Sequence, residues 1–418
     1  MTTKNTVCVI GAGPSGMMAA ITAARCGASV VVLEKKRRPG MKLRITGKGR
    51  CNFTNACDKS VFIENVPGNG RFLHSALAAL SPESLISFFE ELGVRSVVER
   101  GGRVFPASGL SNEIVSALML ELQRCGVDLR LGWKVTSLSA GEHGGFRISS
   151  VNRPDTGCDC AVLATGGITY PQTGSTGDGY ALLKAAGHRI VDPRPSLVPL
   201  HSDAPWIPRL QGLSLRNVNA ALTVDGERVE EQFGEMLFTD AGLSGPIILT
   251  LSRAAVRSID EGKRVWVSID LKPALDKETL DERLVRDLAE WSRKSVKAVL
   301  TGALPRLLVR VFAERWAVDV DRRCAQVTRD ERKRMVDLLK DFTVPISGYG
   351  ALEEAVVTQG GVDVREIDPT SMESRLVKGL YVCGEVLDVD GYTGGFNLHI
   401  AFATGFVAGR SAALRVST

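Results

Sequence analysis

The stretch TVCVIGAGPSGMMAAITAARCGASVVVLE, Thr6 to Glu34, decides the fold. Thr6 to Ile10 is a short apolar run of strand character, and Gly11-Ala12-Gly13-Pro14-Ser15-Gly16 follows it directly. The spacing then predicts a helix over Met17–Cys26, stopped by Gly27, and a second strand over Ala28–Leu33 that ends at Glu34. Strand, glycine turn, helix, strand and terminal acid stand in the order of a βαβ dinucleotide unit. Each glycine has a physical task. Gly11 permits the tight turn, Gly13 lets the backbone approach a pyrophosphate, and Gly16 lets the helix lie close to the strands. The helix start offers free N–H groups and a positive dipole end to phosphates. Glu34 can accept ribose hydroxyls, and its charge disfavours a 2′-phosphate, so FAD or NAD fits better than NADP.

The 418 residues allow two or three domains, or one with a large insertion. A hydrophobic content of 44% supplies a core, and a net charge of +5 permits a polyanionic partner without demanding one. Nine cysteines include no CxxC pair, and Cys158-Asp159-Cys160 has no matching partner, so no metal site is expected. Reduced thiols and a cytoplasmic location follow as expectations. The apolar region Val7–Leu33 holds Pro14, Arg25 and several glycines, so it reads as strand, turn and helix rather than a membrane span.

Two later segments repeat the theme. Cys160–Ala164 reads as a buried strand running into Thr165-Gly166-Gly167, with Thr173–Gly179 and a helix over Tyr180–Ala186 beyond. There Asp178 suits a helix N-cap as well as a ligand role. Near the end, Gly379–Cys383 reads as a strand followed by Gly384-Glu385, Gly394-Gly395-Phe396-Asn397 and a small-residue helix over Leu398–Ala408. Two distant halves converging on one dinucleotide suit FAD, whose ribitol and ring need cover that a free-standing NAD domain does not. No second GxGxxG unit is present, so any NAD(P)H would visit the flavin as a transient reductant.

Gly40–Asn55, GMKLRITGKGRCNFTN, places Lys42, Arg44, Lys48 and Arg50 among glycines and closes on Cys51 between Arg50 and Asn52. These blocks, with LATGGITYPQTGSTGDGYALLKAAGH, MLFTDAGLSGPIIL, VTQGGV and CGEVLDVDGYTGGFNLHIAFATG, resemble the YhiN/BaiN-like flavoproteins over nearly the whole chain. The resemblance implies an α/β fold: a Rossmann-like FAD-binding domain, 1–195 and 356–418, interrupted by an insert at 196–355. The insert is expected to be β-rich over 196–271 and helical over 277–339. Cofactor contacts are implied for Gly11, Gly13, Pro14, Ser15, Gly16, Glu34, Lys35, Lys42, Gly47, Gly49, Arg50, Cys51, Asn52 and Val135. The same holds for Thr165, Gly166, Gly167, Gly384, Glu385, Asp390, Gly394, Gly395, Phe396 and Asn397. The sequence departs from the family pattern at Lys48, Asp240 and His399, so the resemblance carries the cofactor and not a particular substrate.

Family members are linked to NAD(P)H-driven reduction of conjugated C=C bonds, in bile-acid enones and in a ribosomal RNA uridine. For that chemistry Cys51 is a candidate proton donor, although Lys48 and Arg50 beside it favour the thiolate; its other reading is a small side chain locked beside the flavin. Arg50 is a candidate anchor for phosphate or carbonyl oxygens, or a solvated loop residue. His399 either faces the ring or packs. The insert's Arg283, Arg286, Arg293, Lys294, Lys297, Arg306 and Arg310 suit RNA phosphates, offset by Asp281, Glu282, Asp287 and Glu290. An aminoacetone-like amine oxidase using oxygen, and a flavin-bound RNA- or protein-binding module without turnover, are the alternatives. Oligomeric state is not legible.

Overall fold

The computed structural model describes residues 5–141 and 145–417. The chain divides into two compact units, 1–195 with 352–418, and 196–351. Each has its own hydrophobic core.

In the first unit β1 (Thr6–Ile10) leads through α1 (Pro14–Arg25) to β2 (Ser29–Glu34). The helix starts earlier than the glycine pattern predicts, because Pro14 supplies a preset φ at the first helical position. Three further strands complete the sheet: β3 (Asp128–Leu131), β4 (Cys160–Leu163) and β5 (Leu380–Val382). The order is β5-β4-β1-β2-β3, with every pairing parallel. β1 and β4 are buried along their whole length, which is why they read as unbroken apolar runs rather than alternating ones.

The C-terminal helix, Phe396–Ser417, runs well past the expected Leu398–Ala408. Nothing in its later sequence stops it. Gly409, a weak helix former, is offset by packing: a Cβ there would lie 2.2 Å from the Ala19 carbonyl oxygen of α1. A Cβ at Gly405 would meet Ser15 O at 2.3 Å. The two glycines, one turn apart, let the helices cross at backbone contact.

In the second unit seven antiparallel strands lie in the order 342–346, 265–270, 214–224, 227–238, 242–244, 200–201, 348–349. Pro246–Asp260 is a helix packed on this sheet, and the short strand Gly242–Ser244 leads into it. Helices Lys277–Glu290, Val296–Ala303, Arg306–Trp316 and Arg329–Lys340 fill the later part, and two strands of the sheet follow them. Several of the basic residues that could meet phosphate are engaged locally: Arg283 with Asp287 at 3.6 Å, Arg310 with Glu314 at 3.6 Å, and Lys294 over the Trp291 ring. Among the described residues no single helix is long and apolar enough to cross a membrane.

Candidate functional site

A cleft opens in the first unit beyond the carboxyl ends of β1, β2 and β4, the usual ligand position of an open α/β sheet. Its empty space of about 1280 Å³, open mouth included, suits an extended ligand. Its floor is the glycine turn. A Cβ at Gly11 (φ +107°) would lie 2.5 Å from Ala164 O, and one at Gly16 would lie 1.9 Å from Gly11 O, so both are glycine for packing. Gly13 differs: it lines the cleft, and a Cβ there would meet no protein atom within 4 Å. That space is open to a ligand. Gly13 caps α1 without a side-chain hydrogen bond, and Pro14 and Ser15 of the first turn line the cleft, a helix start of the kind that offers N–H groups to an anion.

Glu34 is held by two backbone donors, accepting from Ala12 N–H at 2.8 Å and from Lys36 N–H at 2.7 Å. Its carboxylate keeps lone pairs for ribose hydroxyls. Trp133 and Val135 form the neighbouring wall, with Trp133 N–H donating to Glu34 O at 2.9 Å. Further along, Lys42 donates to Glu385 Oε2 at 2.7 Å and to Thr169 Oγ1 at 2.7 Å, while Thr358 N–H donates to Glu385 Oε1 at 2.9 Å. Both charged ends are largely shielded, so the pair is a fixed dipole in the cleft wall. Thr165 lines the cleft, and its buried Oγ1 has no protein partner. Asn397 also lines it, and its side chain fastens the preceding loop: Oδ1 accepts Gly391 N–H at 2.8 Å, and Nδ2 donates to Gly391 O at 2.7 Å.

A family model described as the HI0933-like protein Rossmann domain matches residues 5–411. The chain belongs to this HI0933-like Rossmann family of FAD-dependent oxidoreductases. A 3-dehydro-bile acid delta(4,6)-reductase from Clostridium scindens is 32% identical over 98% of this chain and 100% of that protein. A ribosomal RNA dihydrouridine synthase from Escherichia coli is 32% identical over 95% of each. The solved 3-ketosteroid delta1-dehydrogenase from Sterolibacterium denitrificans shares the fold, with TM-score 0.53, 14% identity, and coverage of 98% of this chain and 100% of that one.

An FAD fits the HI0933-like cleft on three observations: the open space over Gly13, the orphaned Thr165 hydroxyl, and the fixed carboxylate of Glu34. Gly11, Gly13, Pro14, Ser15, Glu34, Lys35, Lys42, Val135, Thr165, Gly166, Glu385 and Asn397 line it. Gly16, Gly167 and Gly384 stand behind the wall; a Cβ at Gly167 would meet Thr358 Oγ1 at 2.1 Å, and one at Gly384 would meet Ser15 Oγ at 2.4 Å. Gly394 and Gly395 take positive φ, and a Cβ at Gly395 would lie 2.2 Å from Thr54 O. Asp390 is sealed, and Phe396 packs edge-on against Phe62.

The Gly40–Asn55 stretch divides. Met41–Ile45 is one helical turn on the cleft wall, and Thr46 follows it there. Gly47, Lys48, Gly49 and Cys51 then all take positive φ, a tight knot in which Lys48 (φ +58°) occupies a glycine-favouring conformation. Gly47, Gly49, Arg50, Cys51 and Asn52 do not line the cleft. Asn52 Oδ1 is nonetheless buried without a protein partner.

Cys51, Arg50 and His399, the three candidate catalytic side chains, all lie off the cleft lining. Cys51 is fully buried, and burial pushes its thiol up to about 12; Lys48 and Arg50 do not make it a thiolate. Arg50 turns its guanidinium onto the Phe105 ring at 4.3 Å and pairs with Glu99 at 2.6 Å, away from the cleft lining. His399 is sealed among Phe62, Thr54 and Leu80. Its Nε2 donates to Leu80 O at 3.0 Å, because a carbonyl only accepts, and Nδ1 therefore accepts the Thr54 hydroxyl at 2.9 Å. Burial pushes its pKa down to about 4, so the ring is neutral.

Sequence reading passed over Trp133, Arg38 and the Val356-Val357 wall. For Trp133 the signal existed, since it sits just past β3, the strand beside β2.

Proposed function

We propose that this chain is a cytoplasmic, NAD(P)H-driven reductase of a carbonyl-conjugated C=C bond, with a ribosomal RNA uridine as leading substrate and a small enone next. The observation that carries the reading is full-length similarity to two relatives whose names both describe saturation of such a bond. Bound FAD would supply the hydride relay between nicotinamide and the β-carbon of the substrate. The protein's part is orientation. The α1 N-terminus and Gly13 would take the pyrophosphate, Glu34 the adenosine ribose, and the Lys42–Glu385 pair and Thr165 the middle of the dinucleotide. The Gly391–Asn397 loop, rigid through the Asn397 side chain, would bound the ring end. Cys51 and His399 are both enclosed off the cleft lining, which favours solvent over either as the source of the proton added to the other carbon.

Anaerobic reduction of the purified flavoprotein by NADH and by NADPH, then reoxidation by candidate alkenes, tests the reading. Reoxidation by alkene supports it; reoxidation only by oxygen with peroxide release supports an amine oxidase instead. Mass spectrometry of ribosomal RNA from a deletion strain tests the leading substrate, and unchanged dihydrouridine rejects it. Cys51→Ala is expected to keep bound flavin and at least half of turnover in the same assay. Flavin retained with turnover lost would restore the thiol as acid.

A further inference from the structure

The segment Thr173–Asp178 crosses the Glu34 end of the cleft and is tied down on both sides. Gly177 N–H donates to Gly167 O at 3.2 Å on the β4 side. On the β2 side Lys35 Nζ donates to Thr176 Oγ1 at 2.5 Å and to Asp178 Oδ2 at 2.7 Å. Gly174 (φ +113°) lies so close to this side that a Cβ there would meet the Lys36 and Lys35 methylenes at 3.3 and 3.5 Å. Thr173, Gly174, Ser175 and Asp178 line the cleft on one side, and Glu34 and Lys35 line it on the other. Asp178 opens its helix without capping it, and its carboxylate accepts from Lys35.

We propose that Lys35 and Asp178 are a latch over the adenosine half of the dinucleotide, which sets how slowly that half leaves. This rests on the assignment of FAD to the cleft. A ligand whose ribose lies on Glu34 is bounded by the segment that the latch holds in place, and opening that boundary means breaking one ion pair and one hydroxyl bond. Both side chains are about three-quarters shielded, with 22% and 28% of their surface exposed, so salt weakens the latch without abolishing it.

The test uses the full-length holoenzyme and the activity gained by an excess of a second apoflavoenzyme as it captures the FAD that is released. Lys35→Met and Asp178→Asn are each expected to speed release about fivefold, the range of a partly shielded ion pair. The charge-swapped double variant Lys35→Asp/Asp178→Lys is expected to return toward the wild-type rate. Raising salt is expected to speed release from wild type and leave the single variants unchanged. Single variants that release FAD at the wild-type rate would overturn the latch while leaving FAD in the cleft. Wild type that binds no FAD would remove the proposed function as well.

Discussion

Gly13 and Gly16 stand three residues apart in one motif, yet the structure gives them opposite reasons for being glycine. At Gly13 a Cβ meets nothing in the protein, and φ is an ordinary −80°. Gly13→Ala is therefore expected to leave the denaturation midpoint unchanged or slightly raised while weakening FAD binding at least tenfold, read by flavin titration. A variant that binds FAD normally would place the pyrophosphate elsewhere. His399 illustrates a residue whose chemistry is set by its enclosure. Its folded pKa lies near 4 against an ordinary 6.5, so the unfolded chain binds more protons between those values. Stability is then full above about pH 6.5 and falls as pH drops toward 4, by roughly 2–3 kcal/mol for a shift of this size. Glutamine can also donate to Leu80 O and accept from Thr54, without titrating. Urea unfolding of wild type and His399→Gln between pH 7 and 4.5 should show a pH-dependence that the variant largely loses; equal slopes would refute the assignment.

Among the elements, the parallel sheet was legible because β1 and β4 are short and apolar, with Gly11 directly after β1 and Gly166-Gly167 soon after β4. β3 was not, since Asp128–Leu131 alternates only weakly and none of its residues is fully buried. Glu34 could be placed on the cleft from its position at a strand end, whereas for Cys51 and His399 the sequence left two readings open, and of these the surroundings favour packing. Sequence shows a reactive group and its charged neighbours, but not which way the chain turns them, and positive φ at Cys51 is invisible in composition. The crossing of α1 with the C-terminal helix was legible in part, as small residues. It carries a prediction of its own. Gly405→Ala gains about 1 kcal/mol of helix propensity but forces a methyl against Ser15 O, and overpacking of that kind costs about 1–3 kcal/mol. A net loss of stability is expected, with weaker FAD binding because Ser15 lies in the first turn that faces the cleft. Increased stability in thermal denaturation would show that the helices simply move apart.

Across the whole molecule, two cores with no shared residue imply that one ligand does not protect both units equally. Every residue lining the cleft belongs to the first unit, including the wall formed by Val356 and Val357 after the chain returns. FAD at 100 times its Kd stabilises the state that binds it by about 2.7 kcal/mol. That free energy is available to openings that disrupt the cleft, and not to openings confined to the 214–238 hairpin or the 277–340 helices. Hydrogen exchange with and without FAD should therefore slow most in peptides covering 6–34, 160–185 and 380–405. Peptides from the second unit should change by less than a third as much. Equal protection in both units would mean that they unfold as one cooperative body, and the ligand's effect would then have to be assigned to the whole chain rather than to the sheet that carries Gly13.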